Sequence, residues 1–293
     1  MRLVVLAIVG CIASATGMAI GDDLAELSDQ VRTPSYSGGG PSESRPCRTG
    51  WFQGGRQNRD QEDYLESDDM ELDTAAAMAL CAAHIATVPL WGPAFLLEDS
   101  YAESAFFPRY PYQQPHQGYL MIEPDIPLME RPWGGRCSIG YGENFDEITA
   151  VNGRLMLESS SRLGFDSETR YVAQRVGPGR HDSLWISDIN ANFRFAQSER
   201  FQMRFGIGGN LFYGDQESRA GFNLTYGADW FPARPWIVSA DLDWGQLGHA
   251  SLFHALFTVG LHWHHCEAYS GYDYLDVGYT QFNSFVAGIR FWF

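Results

Sequence analysis

Phe285-Val286-Ala287-Gly288-Ile289-Arg290-Phe291-Trp292-Phe293 ends the chain, and its reading decides the fold. Successive side chains of a strand point to opposite faces. Phe285, Ala287, Ile289, Phe291 and Phe293 therefore share one apolar face, while Val286, Gly288, Arg290 and Trp292 share the other. A sheet edge in a water-soluble sandwich would alternate in the same way. Two folds stay open at this point: a barrel in lipid and a sandwich in water.

Working outward, the same period recurs upstream. Ten stretches read as strands, at 136–143, 147–158, 162–173, 184–196, 200–213, 219–231, 235–245, 251–264, 267–277 and 284–293. In the fifth, Phe201, Met203, Phe205, Ile207 and Leu211 oppose Gln202, Arg204 and Asn210. In the seventh, Trp236, Val238, Ala240, Leu242 and Trp244 oppose Ser239, Asp241 and Asp243. Aromatic residues gather near the strand ends. Phe193, Phe195, Phe201, Trp230, Phe231, Trp236, Trp263 and Phe293 flank one set of turns; Trp185, Tyr213, Trp244, Phe253, Tyr274 and Phe285 flank the other. Two such girdles around an aliphatic middle suit the two interfaces of a bilayer. Connections are expected to alternate, with Ser159-Ser160-Ser161 and Pro232-Ala233-Arg234 among the tight ones and Gln246 to Ala250 and Gly278 to Asn283 among the longer ones.

The strand-rich part, 134–293, resembles bacterial outer-membrane β-barrel proteins in its alternation, its girdles and its terminal apolar-x-apolar-x-Phe. The likeness is one of pattern; no catalytic motif carries it. It implies an all-β fold: a closed, antiparallel, up-and-down transmembrane β-barrel of about ten strands, eight and twelve being the alternatives. It further implies that Phe285, Ile289, Phe291 and Phe293 are the C-terminal signal read by the barrel-assembly machinery. Outer-membrane lipid and that machinery are the partners expected. An even strand number returns both barrel ends to the periplasmic side.

The preceding sequence changes character several times. Residues 1–19 read as an export signal: Arg2, an apolar run from Leu3 to Ile12, then small residues ending at Ala19. Ile8-Val9-Gly10-Cys11 offers the alternative of a lipidated Cys11. Residues 20–73 read as a disordered, acidic, Gly/Pro/Ser-rich arm lying in the periplasm. Residues 74–97 carry no Asp, Glu or Arg. They are expected to form an Ala-rich amphipathic or buried helix up to about Thr87 and then an apolar loop, with a bilayer span as the alternative. Residues 98–133, rich in Pro and Tyr, read as an extended linker that lies against or inside the barrel.

Composition narrows the function. The formal net charge is −16, and no basic stripe is present to neutralise a phosphate backbone, which argues against nucleic acid. All 20 basic residues are Arg, a side chain that pairs bidentately with carboxylates and tolerates burial. The inward face of the strands holds Asp166, Glu168, Arg170, Asp188, Arg194, Arg204, Asp229, Asp241, Asp243, Glu267, Asp273 and Arg290. These are expected to form an ion-pair network filling the lumen, with a narrow cation-leaning channel as the alternative. His262 and His264, two apart on a strand, are weak metal candidates without a third ligand. His181-Asp182, Asp215, Asp243 and His249 would have to meet at the rim for a barrel hydrolase, and no spacing marks a nucleophile. No catalytic residue and no cofactor is assigned. The five cysteines, Cys11, Cys47, Cys81, Cys137 and Cys266, form no CxxC.

Overall fold

The computed structural model describes residues 23–32, 87–89, 91–99, 104–122, 131–144, 148–177, 180–214 and 218–293. A helix, α1 (Asp23–Arg32), is followed by ten strands: β1 (Trp133–Glu143), β2 (Ile148–Ser159), β3 (Leu163–Gly177), β4 (Arg180–Ser198), β5 (Phe201–Tyr213), β6 (Ser218–Ala233), β7 (Trp236–Leu247), β8 (Ala250–Trp263), β9 (Cys266–Val277) and β10 (Thr280–Trp292). Each strand pairs antiparallel with the next, and β1 pairs with β10, so the sheet closes on itself. The seam between the chain's first and last strands runs from Arg136↔Trp292 to Glu143↔Phe285. It is extended by reciprocal backbone hydrogen bonds of 2.9 Å between Gly135 and Phe293. Closure removes the unpaired edge that an open sheet would expose.

The alternation read from the sequence fixes which side chains enter the barrel. Ile139, Ile189, Ile207, Leu261, Phe285 and Ile289 are exposed on the outer wall, and Trp185, Trp236, Trp244 and Trp263 stand near its two rims. Phe231 departs from the expected girdle. It is buried inside against Tyr119 and Trp292, because plain alternation puts it on the inward face with Thr225 and Asp229, opposite Trp230. Phe195 also departs: it lies beside a register shift, between Arg194 and Ala196, and is covered by a helical segment described below.

The expected rhythm of tight turns and longer loops holds only in part: β5 and β6 are joined by the longer 214–217, but other expected loops are short. β7 and β8 are joined by Gly248-His249 alone, and β9 and β10 by Gly278-Tyr279 alone. Gly248 and Gly278 take φ of +63° and +66°, a conformation that lets a glycine at the first turn position close a two-residue hairpin. These glycines also admit α1, since a Cβ on Gly278 would stand 2.0 Å from Gln30 Oε1 and one on Gly248 2.5 Å from the Val31 carbonyl oxygen.

That helix corrects the reading of 20–73 as a structureless periplasmic arm, at least for 23–32; residues 33–73 lie outside the described residues. Leu24, Leu27 and Val31, on one face, are buried among Val172, Leu184, Phe212, Leu247, Leu275 and Val277. Three apolar side chains at helical spacing outweigh the acidic composition around them. The Leu24 amide donates to Gln174 Oε1 at 3.0 Å, and the Tyr279 amide to Gln30 Oε1 at 2.7 Å. α1 thus closes the end formed by the β7–β8 and β9–β10 turns, opposite the end where β1 begins and β10 stops.

The other end is closed by residues 104–122. The expected extended linker is instead a compact lid, tied by the Phe106↔Met121 bridge, with a Phe107↔Arg131 bridge leading back towards β1. Phe107, Tyr112, Tyr119 and Leu120 are buried with Phe231, Ile237 and Trp292. The Tyr119 hydroxyl lies 3.3 Å from the carbonyl oxygens of both Gly135 and Phe293, one on each side of the seam.

Residues 87–89 and 91–96 are helical, so the apolar loop expected after Thr87 is corrected too; 74–86 lie outside the described residues. Pro93 sits in the first turn after Trp91, where its missing N–H has no intrahelical acceptor to lose, and the Leu97 amide donates to its carbonyl at 3.0 Å.

A Gly278→Val protein is expected to lose about 1–3 kcal/mol, from backbone strain together with the displaced Gln30. Denaturant midpoints of the two proteins measure it, and equal midpoints would remove this turn from the account of how α1 is held.

Candidate functional site

The middle of the lumen, between the two apolar ends, is a layer of charge. Asp229 on β6 takes Arg136 Nη1 at 2.7 Å on one oxygen and Arg204 Nη1 at 2.6 Å on the other, with Gln202 Nε2 donating at 2.9 Å. Arg204 reaches on to Asp241, which also takes Arg154 Nη1 at 2.8 Å. Arg154 holds Asp166 through Nε at 2.8 Å and through Nη2. Arg170 then joins Glu168 at 3.2 Å to Asp273 at 3.0 Å. His254 stands between Asp243, 2.8 Å from Nδ1, and Asp273, 3.0 Å from Nε2. Asp188 receives Asn190 Nδ2 at 2.9 Å.

Two branches approach the lid. Arg194 donates to Glu158 at 3.3 Å and to Gln197 at 2.9 Å, and its guanidinium lies over Phe107 at 5.2 Å. Arg290 donates to Glu267 at 2.8 Å and to Thr258 at 2.8 Å, and lies over the Tyr269 ring at 4.3 Å. Trp292 Nε1 donates to the second Glu267 oxygen at 2.9 Å. In the lid, burial raises the phenols of Tyr112 and Tyr119 above the ordinary tyrosine value. Both hydroxyls therefore remain donors, that of Tyr112 to the Trp236 carbonyl.

All twelve lumen residues named from the sequence lie on the inward face. Four more charged or titratable residues belong beside them: Arg136, Arg154, Glu158 and His254. The signal was present, because Arg154 and Glu158 share a period-2 face with Asn152 on β2, and His254 alternates with Phe253. The other proposed clusters do not assemble. His262 is buried on the inward face, but β8 ends at Trp263 and His264 is an exposed turn residue with φ of 56°. The turn breaks the alternation that would have set both imidazoles on one side. No group of three or more metal-ligating side chains occurs among the described residues. Asp243 lies inside the lumen on His254, whereas His249 sits in the two-residue turn with its amide on the Val31 carbonyl, and Asp215 lies outside the described residues. Cys137 and Cys266 are free and exposed on the outer wall, each registered opposite Phe291 on either side of β10.

No protein-family model and no curated protein matches the chain. Among solved structures it is similar to the Yersinia pestis outer membrane protein Ail in a phospholipid bilayer nanodisc, at 15% identity over 55% of this chain and 99% of that one, with a TM-score of 0.30. It is also similar to CdiB from Acinetobacter baumannii, at 10% identity, 60% of this chain, 44% of that one and a TM-score of 0.27. The chain thus spans less than half the length of CdiB. At these scores the likenesses add nothing to what the barrel's own geometry shows.

Chemically, the lumen is a strut network. Its acid beyond what the arginines pair is met by amides and by space for water: Glu168, Arg170, Asp188, Asp243 and His254 line a cavity of about 30 Å³, room for one or two waters. Asp229→Ala leaves Arg136 and Arg204 without the carboxylate they share and is expected to cost about 3–5 kcal/mol. Tyr279→Ala on the exposed turn should change stability by less than about 0.5 kcal/mol. Similar denaturant midpoints for both variants would mean that the network does not brace the barrel.

Proposed function

We propose that this chain is a non-enzymatic barrel of a bacterial outer membrane whose work is structural, a filled and non-conducting element that organises the envelope. The observation that carries the reading is the occupied lumen: α1 at one end, an ion-pair layer in the middle, an aromatic lid at the other. A channel needs a continuous wet path, and the cavity at the charged layer holds about 30 Å³. The outer wall supports lipid as its solvent. Side chains such as Ile139, Ile207, Leu261 and Ile289 stand exposed there, and apolar area removed from water is stabilising at roughly 25 cal/mol per Å². Closure satisfies the backbone polar groups of every strand, as hydrocarbon demands.

Placing the lid end in the periplasm sets Phe291, on the outward face of β10, and Phe293, the residue after it, at the rim where barrel-assembly machinery would meet them, with Ile289 next along that face and Phe285 nearer the far rim. Structural work is favoured over surface adhesion because two of the connections at the far end are two-residue turns, which leave little chain for binding a partner. The test is a planar-bilayer recording on the full chain, alongside a gel of boiled and unboiled protein. Expected are a mobility shift on boiling and no conductance above the bare membrane. A steady cation-selective current would establish a channel instead. Release by salt with no shift on boiling would overturn the membrane reading and leave a barrel in water; the sandwich is already excluded by closure of the sheet.

A further inference from the structure

Two neighbouring turns at the lid end carry basic side chains and no acid. The β6–β7 turn is Arg234-Pro235, and the β8–β9 turn is His264-His265. The His262 amide donates to the Pro235 carbonyl at 2.8 Å, which holds the two turns side by side. Arg234 and His264 are exposed. His265 fixes the second turn: its Nδ1 stands 2.8 Å from the Trp292 carbonyl oxygen, and its ring stacks on Phe291 with centroids 5.5 Å apart and an angle of 20°. Tyr110 of the lid sets its ring edge-on to His265 at 4.8 Å and lies 5.8 Å from His264.

The lumen arginines are spent on carboxylates, whereas Arg234 has no carboxylate partner among the described residues. Glu267, the second residue of β9, is buried with its two oxygens on Arg290 and Trp292. At the next turn round the rim, Glu199 and Arg200 offset each other. Beside the two basic turns the outer wall is aromatic: Trp263 is 72%, Trp236 48% and Phe291 43% exposed. Indole rings on a barrel wall settle at the level of the lipid headgroups. In that layer the anion is phosphate. A guanidinium offers its fork to two phosphate oxygens, and the imidazole of His264 carries an N–H in either tautomer.

We propose that Arg234 and His264 bind the phosphate of an anionic phospholipid, whose acyl chains lie along Trp236, Trp263 and Phe291. This rests on the barrel being membrane-spanning, as proposed above. The two turns join the polar and apolar halves of such a ligand: donors at the rim, rings on the wall beside them. A zwitterionic headgroup would bring its own cation beside Arg234, so a headgroup of net negative charge, such as phosphatidylglycerol, is preferred over phosphatidylcholine. The site lies at the surface, and the preference therefore weakens as salt is raised.

Lipid retention tests it. The full chain is reconstituted in vesicles of equal phosphatidylcholine and phosphatidylglycerol, extracted, and its bound lipids counted by native mass spectrometry. The unmodified protein is expected to retain phosphatidylglycerol several-fold over phosphatidylcholine. The double variant Arg234→Gln/His264→Gln should retain the two alike, while Arg175→Gln, exposed at the far end of β3, should keep the preference. Equal retention by the unmodified protein, or a preference that survives in the double variant, would overturn the site. So would a preference lost equally in Arg175→Gln, which would make it a property of overall charge. Stripping of the lipid by millimolar inorganic phosphate would assign the turns to free phosphate and overturn the lipid as their ligand. A boiled and unboiled gel of each reconstituted protein separates the two readings. A mobility shift without lipid preference overturns this site alone, and no shift in the unmodified protein overturns the membrane reading beneath it.

Discussion

Two guanidinium groups, Arg136 from β1 across the lumen and Arg204 from the neighbouring β5, meet the two oxygens of one carboxylate, Asp229 on β6. Much of the interior follows from that pairing. A charge taken out of water is costly unless paired and hydrogen-bonded, so each inward arginine has to find acid and each inward acid has to find a donor. Because the partners sit on different strands, satisfying them fixes how the strands face one another across the barrel. Arg204 to Asp241, Asp241 to Arg154 and Arg154 to Asp166 extend the constraint from strand to strand. Apolar packing alone would set no such register, since one methyl fits beside another at many offsets.

The charged layer also explains the ends. Inward residues near the turns of β7–β10 are Leu247, Ala250, Leu252, Leu275 and Val277, and those at the lid end are Phe231, Ile237 and Trp292. Apolar surface at the mouths would be wetted in an open tube. Each mouth is instead covered by a segment from outside the sheet whose own apolar side chains match it. The lid adds hydrogen bonds to backbone carbonyls of the wall, as Tyr112 does at Trp236.

Period-2 alternation made the sheet legible. Ten strands, their order and their facing could be read from patterns such as Trp236-x-Val238-x-Ala240, because a barrel strand has one wall in each solvent. Bulges were not legible. The shifts at Arg194/Ala196 and Trp230/Ala233 depend on how neighbouring strands twist. Phe231 was misplaced although its parity with Asp229 already put it inside, and Phe195 because a segment remote in sequence covers it. Turns were misjudged where Gly278 was counted into a longer loop, since its positive φ is a property of the closed hairpin. The His262–His264 pair failed for the same reason: the strand ended between them. α1 escaped notice because three buried side chains, Leu24, Leu27 and Val31, sit among acids that dominate the local composition. Of the lumen, the identity of the charged residues was legible and their pairing was not, since Arg170 and Asp273 meet across 103 positions of sequence.

The seam has a mechanical consequence. β1 and β10 share fewer registered pairs than the strands on either side of them, yet they carry the closure that joins the two ends of the barrel sequence. A wall pulled or bent open would therefore part there first, as a zip parts from its free end. The Tyr119 hydroxyl touches carbonyls of both edge strands at the base of that zip, so the lid acts as a clasp on it. Seating the lid and locking the cylinder are, in this architecture, one event.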